Sequence, residues 1–249
     1  MSSLNRILMF FVLFYWGGFT VFAQPLYFSS KKDYLKIQLE NARLPNNSAY
    51  TRNVDYVNGK LYDLIGTSYS NPYFEDNSWK SGDVMYIGRK YDVPLLIYDL
   101  SKDILIQLLY SNQLYTVSFK QEFVKEFTIS GHHFRYLDDF QRSSESTLKR
   151  GYYELVYDGL EQFYVRWEKY RDFKNDPYNQ NYIQLTYLYL KKDGLYFRII
   201  GNKSLVAALK DHKKEVRSFI RKNNTKIRVK NFDHVRDLLK YYDELKRNE

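Results

Sequence analysis

Two histidines and two aspartates sit together in GHHFRYLDD, residues 131–139. Imidazole and carboxylate groups in one short segment are the raw material of metal sites and of general acid–base pairs. On a strand, however, His132 and His133 point to opposite faces and cannot ligate one ion without a bulge. Neither His132, His133, Asp138 and Asp139 nor any other group therefore yields an expected metal site, and no cofactor is expected. A second set of acids, Glu154, Asp158, Glu161 and Glu168, contains the residue types that paired carboxylates use to hydrolyse glycosides. Their spacing does not separate them from ordinary surface acids.

The chain lacks a Gly-x-Ser-x-Gly elbow, a phosphate-binding glycine loop, a His-Glu-x-x-His pair and any cysteine nucleophile. No nucleophile, base and orienting group can be placed together from spacing alone, which argues against an enzyme. A binding role fits better. The densest aromatic stretch is GYYELVYDGLEQFYVRW, residues 151–167, which reads as a hairpin turning at Asp158-Gly159. A three-residue turn with Gly159 left-handed puts Tyr153, Leu155 and Tyr157 on one face with Phe163, Val165 and Trp167. That face is the expected core. The other carries Tyr152, Glu154, Tyr164 and Arg166, two tyrosines beside a carboxylate and a guanidinium, a composition suited to stacking on a sugar or holding a polar ligand. Leu155 and Phe163 should be buried, with Glu154 and Arg166 outward.

The elements that must position these groups are mostly strands. From about residue 54 to 202, segments such as GDVMYIGRKY, VPLLIYDL, KDILIQLLY, LYTVSFK and GLYFRII are short and rich in Val, Ile, Tyr and Phe. Turn formers separate them at Asn58-Gly59, Ser81-Gly82, Ser101-Lys102-Asp103, Asp158-Gly159 and Asp193-Gly194. Connections this short exclude crossover helices, so the strands pair antiparallel. Residues 142–149 and 172–181 read as longer surface loops, and 24–53 as a short helix with a linker. After Gly201 the apolar period lengthens to that of a helix. Leu205, Val206 and Leu209, then Val216, Phe219 and Ile220, form one helix or two broken near Asp211. Phe232, Val235, Leu238, Leu239, Tyr242 and Leu245 form a last stripe with Asn231 as N-cap. The expected class is α+β and mostly β: an antiparallel curved sheet or sandwich of short strands over 54–202, with a basic helical cap over 203–249.

Charge is concentrated in that cap. The net charge of the chain is +9. Residues 203–249 hold 14 Lys and Arg against 7 Asp and Glu, whereas 24–202 hold 23 against 22. On a continuous helix, Lys210, Lys214, Arg217 and Arg221 would share one face, a row able to meet an anionic envelope component such as lipid headgroups, acidic polysaccharide or an acidic surface of another envelope protein. Nucleic acid is not expected as a partner, because the N-terminus reads as an export signal. A basic start at Arg6, the apolar run Ile7 to Trp16, and Val21-Phe22-Ala23 before Gln24 match what signal peptidase accepts. This run is too short and too interrupted by Gly17 and Gly18 for a membrane anchor. No later span is apolar enough to cross as a helix, and the absence of cysteine excludes a lipid-bearing cysteine, disulfides and thiolate sites.

The order GDVMYIGRKYDVPLLIYDLSKDIL, GYYELVYDG, VAALKDHKKEVRSFIRKN and LLKYYDEL resembles a widespread family of exported β-rich proteins from Bacteroidota. The resemblance spans most of the chain after the signal and rests on turns and core residues. It implies a periplasmic or secreted address and carries over no functional residue. The strongly basic tail helices depart from it. The function expected is thus an exported, soluble envelope protein acting as a binding or interaction module. A carbohydrate-active hydrolase is the alternative. An outer-membrane β-barrel is less favoured, because the strands are short and the chain ends on a charged helix. The mature protein is expected to begin at Gln24 without covalent lipid. N-terminal sequencing and intact mass of the native product check this, and retention of residues 1–23 would contradict it.

Overall fold

In the computed structural model, residues 59–65, 70–111, 113–138, 148–174, 181–229 and 231–248 are described. The expected signal segment of 1–23, the expected helix and linker of 24–53, and most of both expected long loops lie outside them. The strands are β1 (Lys60–Leu61), β2 (Lys80–Tyr86), β3 (Arg89–Asp99), β4 (Ile104–Ser111), β5 (Gln113–Ser118), β6 (Val124–Ile129), β7 (His132–Leu137), β8 (Gly151–Asp158), β9 (Gln162–Arg171), β10 (Tyr182–Lys192) and β11 (Leu195–Ile199). They form one antiparallel sheet in the order β1-β5-β4-β3-β2-β6-β7-β8-β9-β10-β11. The sheet is open, with β1 and β11 as its edges, so the described strands close no barrel and form no sandwich. Three helices follow: α1 (Asn202–Ala208), α2 (Lys213–Lys222) and α3 (Asp233–Arg247).

Turn chemistry explains three of the reversals in this path. Ile87-Gly88, Ser130-Gly131 and Asp193-Gly194 each place two successive residues at positive φ, 49° and 74°, 52° and 79°, 51° and 78°. Such two-residue turns match the twist of the strands they join. Only the last of them stood out in the sequence. GDVMYIGRKY is accordingly not one segment: it folds back at Ile87-Gly88. Ser81-Gly82 is no turn either but lies inside β2, at a register shift against β3. A side chain at Gly82 would stand 1.9 Å from the Thr128 carbonyl oxygen, which explains glycine there.

The sheet curls strongly. β3 and β8 are four ladder steps apart, about 19 Å in a flat sheet, yet the Tyr98 and Tyr152 rings are 5.9 Å apart, edge to face. Inside the curl, Phe74, Tyr98, Phe127, Phe134 and Tyr152 form an aromatic core. One ion pair ties the β3–β4 turn to β9. Arg166 Nη1 on β9 lies 2.9 Å from Asp103 Oδ2 in the β3–β4 turn. The same carboxylate accepts from the Tyr98 hydroxyl at 2.5 Å and the Tyr152 N–H at 3.3 Å.

The helices cover one face of β8–β11. Phe163, Val165, Leu188, Leu190 and Ile199 pack there against Leu205, Val216, Val235, Leu238 and Leu239. The stripe expected of α3 is buried from Phe232 to Tyr242, and Leu245 is half-buried. Asn231 Oδ1 accepts from the Asp233 N–H at 2.7 Å, a cap one residue from the first turn. Body and cap thus share one core.

The 151–167 hairpin corrects the expected register. Tyr157 faces Phe163 and Asp158 faces Gln162, but Leu155 faces Tyr164 and Glu154 faces Val165, so Val156 is the extra residue of a bulge. Phe163, Val165 and Trp167 stay on the core face with Tyr157, as expected. Beyond the bulge every side chain of β8 changes face. Tyr152 and Glu154 turn inward with them, while Tyr153 and Leu155 join Tyr164, Tyr189 and Tyr196 in a tyrosine cluster on the other face. Gly159 is not left-handed. Its hydrogen faces Asp243, whose Oδ2 accepts from the Tyr157 hydroxyl and the Leu160 N–H, both at 2.8 Å.

Two truncations test this packing. Phe163→Ala, at a fully buried position, should destabilise by about 3–5 kcal/mol. Arg166→Ala strands the Asp103 carboxylate and should cost on the order of 3 kcal/mol. Urea unfolding measures both, and an Arg166→Ala variant as stable as the parent would mean that the pair does not hold the curl.

Candidate functional site

The sheet presents an open cleft of about 750 Å³ beside the start of α3. The Ser130-Gly131 turn delivers His132 to one wall, the Val156 bulge turns Glu154 inward beside it, and β9 adds Trp167. Phe74 and Glu75 come from the segment before β2, which is tied to β3 by backbone bonds Phe74 N–H to Tyr98 O (2.8 Å) and Leu100 N–H to Pro72 O (2.9 Å). Lys169 Nζ reaches from β9 to the Tyr73 carbonyl at 2.6 Å and fixes that segment on the other side. Phe232, just before α3, and Asp233 and Arg236 on it close the cleft, with Gln184 of β10 at the rim. Arg236 donates from Nε to the Val156 carbonyl at 3.1 Å, so the bulge and the helix hold each other.

Glu154 is the centre of the polar wall. It is only 3% exposed, and both oxygens are engaged: Oε1 lies 2.7 Å from His132 Nδ1, and Oε2 accepts from Trp167 Nε1 at 2.7 Å. His132 Nε2 stands 3.6 Å from Glu75 Oε1. The hydrogen bond to Glu154 raises the His132 pKa above 6.5; burial opposes the rise, and the charges of Glu154 and Glu75 add to it, against Arg236. An ionised carboxylate only accepts, so neutral His132 carries its proton on Nδ1 and presents the Nε2 lone pair toward Glu75. Glu75 itself adopts φ 60°, unusual for a residue with a side chain. Lys80 holds its other oxygen at 3.0 Å. Phe74 packs edge-on against both His132 (5.1 Å, 76°) and Trp167 (5.9 Å, 66°). The arrangement is a fixed carboxylate–imidazole pair in an aromatic frame. It can orient a polar ligand and move a proton, but among the described lining residues there is no Ser, Thr, Cys or Lys to act as nucleophile.

No family model, curated protein or solved structure matches this chain.

The four residues expected to share one ligand face do not. Tyr152 and Glu154 lie on the core side, Tyr164 and Arg166 on the other. All four are buried, so Glu154 and Arg166 are not outward and do not pair. Alternation predicts solvent for a strand charge; here partners far along the chain, His132 and Asp103, supply the missing hydrogen bonds. His132 and His133 do point apart: His133 Nε2 lies 3.2 Å from Glu126. The acids are likewise dispersed. Asp158 accepts from Gln162 at 2.6 Å, Glu161 pairs with Lys246 at 2.9 Å, and Glu168 with Arg166 at 3.3 Å. Asp139 lies outside the described residues. Among the described residues no group of three His, Asp or Glu stands ready for a metal.

The basic row is partly assembled. Lys214, Arg217 and Arg221 line the exposed side of α2, while Val216, Phe219 and Ile220 turn inward. Lys210 falls in the link between α1 and α2. The break falls where Asp211 accepts from the Tyr242 hydroxyl of α3 at 2.5 Å and pairs with Lys192 of β10 at 3.1 Å. Phe74, Glu75, Gln184 and Arg236 were missed as site residues. None lies in a motif; the curl brings in Phe74 and Glu75, and the docking of α3 on the bulge brings in Arg236.

His132 gives the site a pH signature. Its folded pKa is raised, so its contribution to stability is complete below about pH 6.5 and is lost as pH rises through the folded value. The difference in melting temperature between the parent and His132→Gln should be larger at about pH 5.5 than at about pH 9. A difference independent of pH would show that Glu154 does not hold the imidazolium.

Proposed function

We propose that this protein is exported to the cell envelope, akin to the β-rich Bacteroidota family its segments resemble, and works there as a binding module for a small polar ligand held in the cleft beside α3. The observation that carries this reading is Glu154, a carboxylate with almost no solvent contact fixed by two donors in the wall of an otherwise open cleft. Burying a carboxylate is costly unless it is fully hydrogen-bonded. A cleft that combines aromatic walls with a few converging polar groups is the usual form of a ligand site. The exposed cations of α2 provide a face for an anionic envelope component. Among the described residues no helix is long and apolar enough to cross a membrane.

A hydrolase is the second reading, favoured by the way Glu154 orients His132. It would use Nε2 as base toward a water, since among the described lining residues there is no Ser, Thr, Cys or Lys.

A small-molecule extract of the envelope fraction should raise the melting temperature of the parent. A ligand at a hundred times its Kd stabilises by about 2.7 kcal/mol, which is several degrees for a chain of this length. Gln184 lies exposed at the rim, so Gln184→Trp fills the cleft without disturbing the core and should abolish the rise. An equal rise in both proteins would place binding elsewhere, and no rise in either would remove the proposal.

A further inference from the structure

We infer that the ligand is a neutral polyhydroxylated one, a saccharide unit; the inference rests on the cleft being a binding site. Among the described residues, the charges around the cleft are already matched within the protein. Glu75 is held by Lys80 at 3.0 Å and faces His132, Glu154 is held by His132 and Trp167, and Asp233 accepts from Arg236 Nη1 at 2.7 Å. An anionic ligand would meet three carboxylates. A cationic ligand would meet His132, held toward its charged form, and Arg236, and would have to break an existing pair to gain one. An uncharged ligand needs neither.

What remains available is a set of hydrogen-bonding positions. The exposed carboxylates Glu75 and Asp233 keep a second lone pair on each oxygen, and the Arg236 guanidinium has three N–H groups beyond the two spent on Val156 and Asp233. Gln184 and Asn231 add amide groups at the rim. Alternating donors and acceptors suit hydroxyl groups, each of which donates and accepts. The apolar share of the lining, Phe74, Trp167, Phe232 and Val229, suits the C–H face of a sugar ring. Flat aromatic ligands fit less well. Phe74 meets both His132 and Trp167 edge-on, so its face lies parallel to neither and forms no sandwich for a nucleobase with them. A hydrocarbon would strand the polar wall without hydrogen bonds.

Calorimetric titration of the full mature chain tests this with three sets of probes: neutral mono- to tetrasaccharides, charged small molecules (amino acids, uronates and sugar phosphates), and nucleosides. Binding of at least one neutral saccharide is expected. Glu75→Gln and Gln184→Ala, both at exposed positions, should each weaken it about tenfold, the worth of one hydrogen bond to ligand. Circular dichroism melting confirms that both variants fold. If charged molecules or nucleosides bind, Gln184→Trp blocks them and no saccharide binds, the cleft is a binding site but the sugar assignment is overturned. If the envelope extract also leaves the parent unchanged, the binding reading falls with it. Saccharide binding undiminished in Glu75→Gln and Gln184→Ala would overturn the placement of the sugar in this cleft.

Discussion

Arg166 and Asp103 stand five strands apart in the ladder, about 24 Å in a flat sheet, and yet their side chains meet at 2.9 Å. A guanidinium and a carboxylate taken this far from water are costly unless every polar atom is used. Here Asp103 also accepts from Tyr98 and Tyr152, and Arg166 also donates to the Tyr152 carbonyl at 2.8 Å. Gly151 leaves the space: a side chain there would lie 2.0 Å from Asp103 and 2.3 Å from Arg166, and its φ of 145° is one that side chains rarely adopt. The curl fixed at this point brings the Phe74–Glu75 segment, riding on the end of β3, against His132 on β7 and Trp167 on β9. Without it the walls of the cleft would lie on separate parts of a flat sheet.

The second determinant is a single extra residue. The Val156 bulge rotates Glu154 into the cleft, gives its carbonyl to Arg236, and leaves Tyr157 free to reach Asp243 on α3. One inserted residue thus aims the acidic group and docks the helix that faces it. Bulges next to sites commonly re-aim a side chain in this way. Here the bulge also separates two kinds of core: aliphatic groups under the helices on one face of β8–β11, and buried tyrosines on the other.

These two features also explain how far the sequence could be read. Period and turn chemistry were enough for the antiparallel β body, the helical stripe of α3 and the inward set Phe163, Val165 and Trp167, because each follows from neighbours within a few residues. The bulge was not legible, since both faces of GYYELVY are rich in tyrosine and a shift leaves either one apolar enough to bury. Arg166 and Glu154 were placed in solvent because their partners lie 63 and 22 residues away. His132 was singled out by its type, but its role depends on Glu154 and Glu75, which no local spacing links to it. The site was legible in its components and not in its assembly.

The strand order has a consequence for how the molecule comes into being. β2 to β5 are successive hairpins, and so are β6 to β11; these two meanders meet along one ladder, β2 against β6, whose strands are far apart in the chain. Local hairpins form early and cheaply, whereas a ladder between distant segments waits for a long loop to close. Phe74 and Glu75 travel with the first meander, and His132, Glu154 and Trp167 with the second. The cleft therefore exists only once that seam has zipped. A molecule bound there would favour the joined form over any state in which the meanders have parted, so the ligand would act as a clasp on the seam as well as cargo.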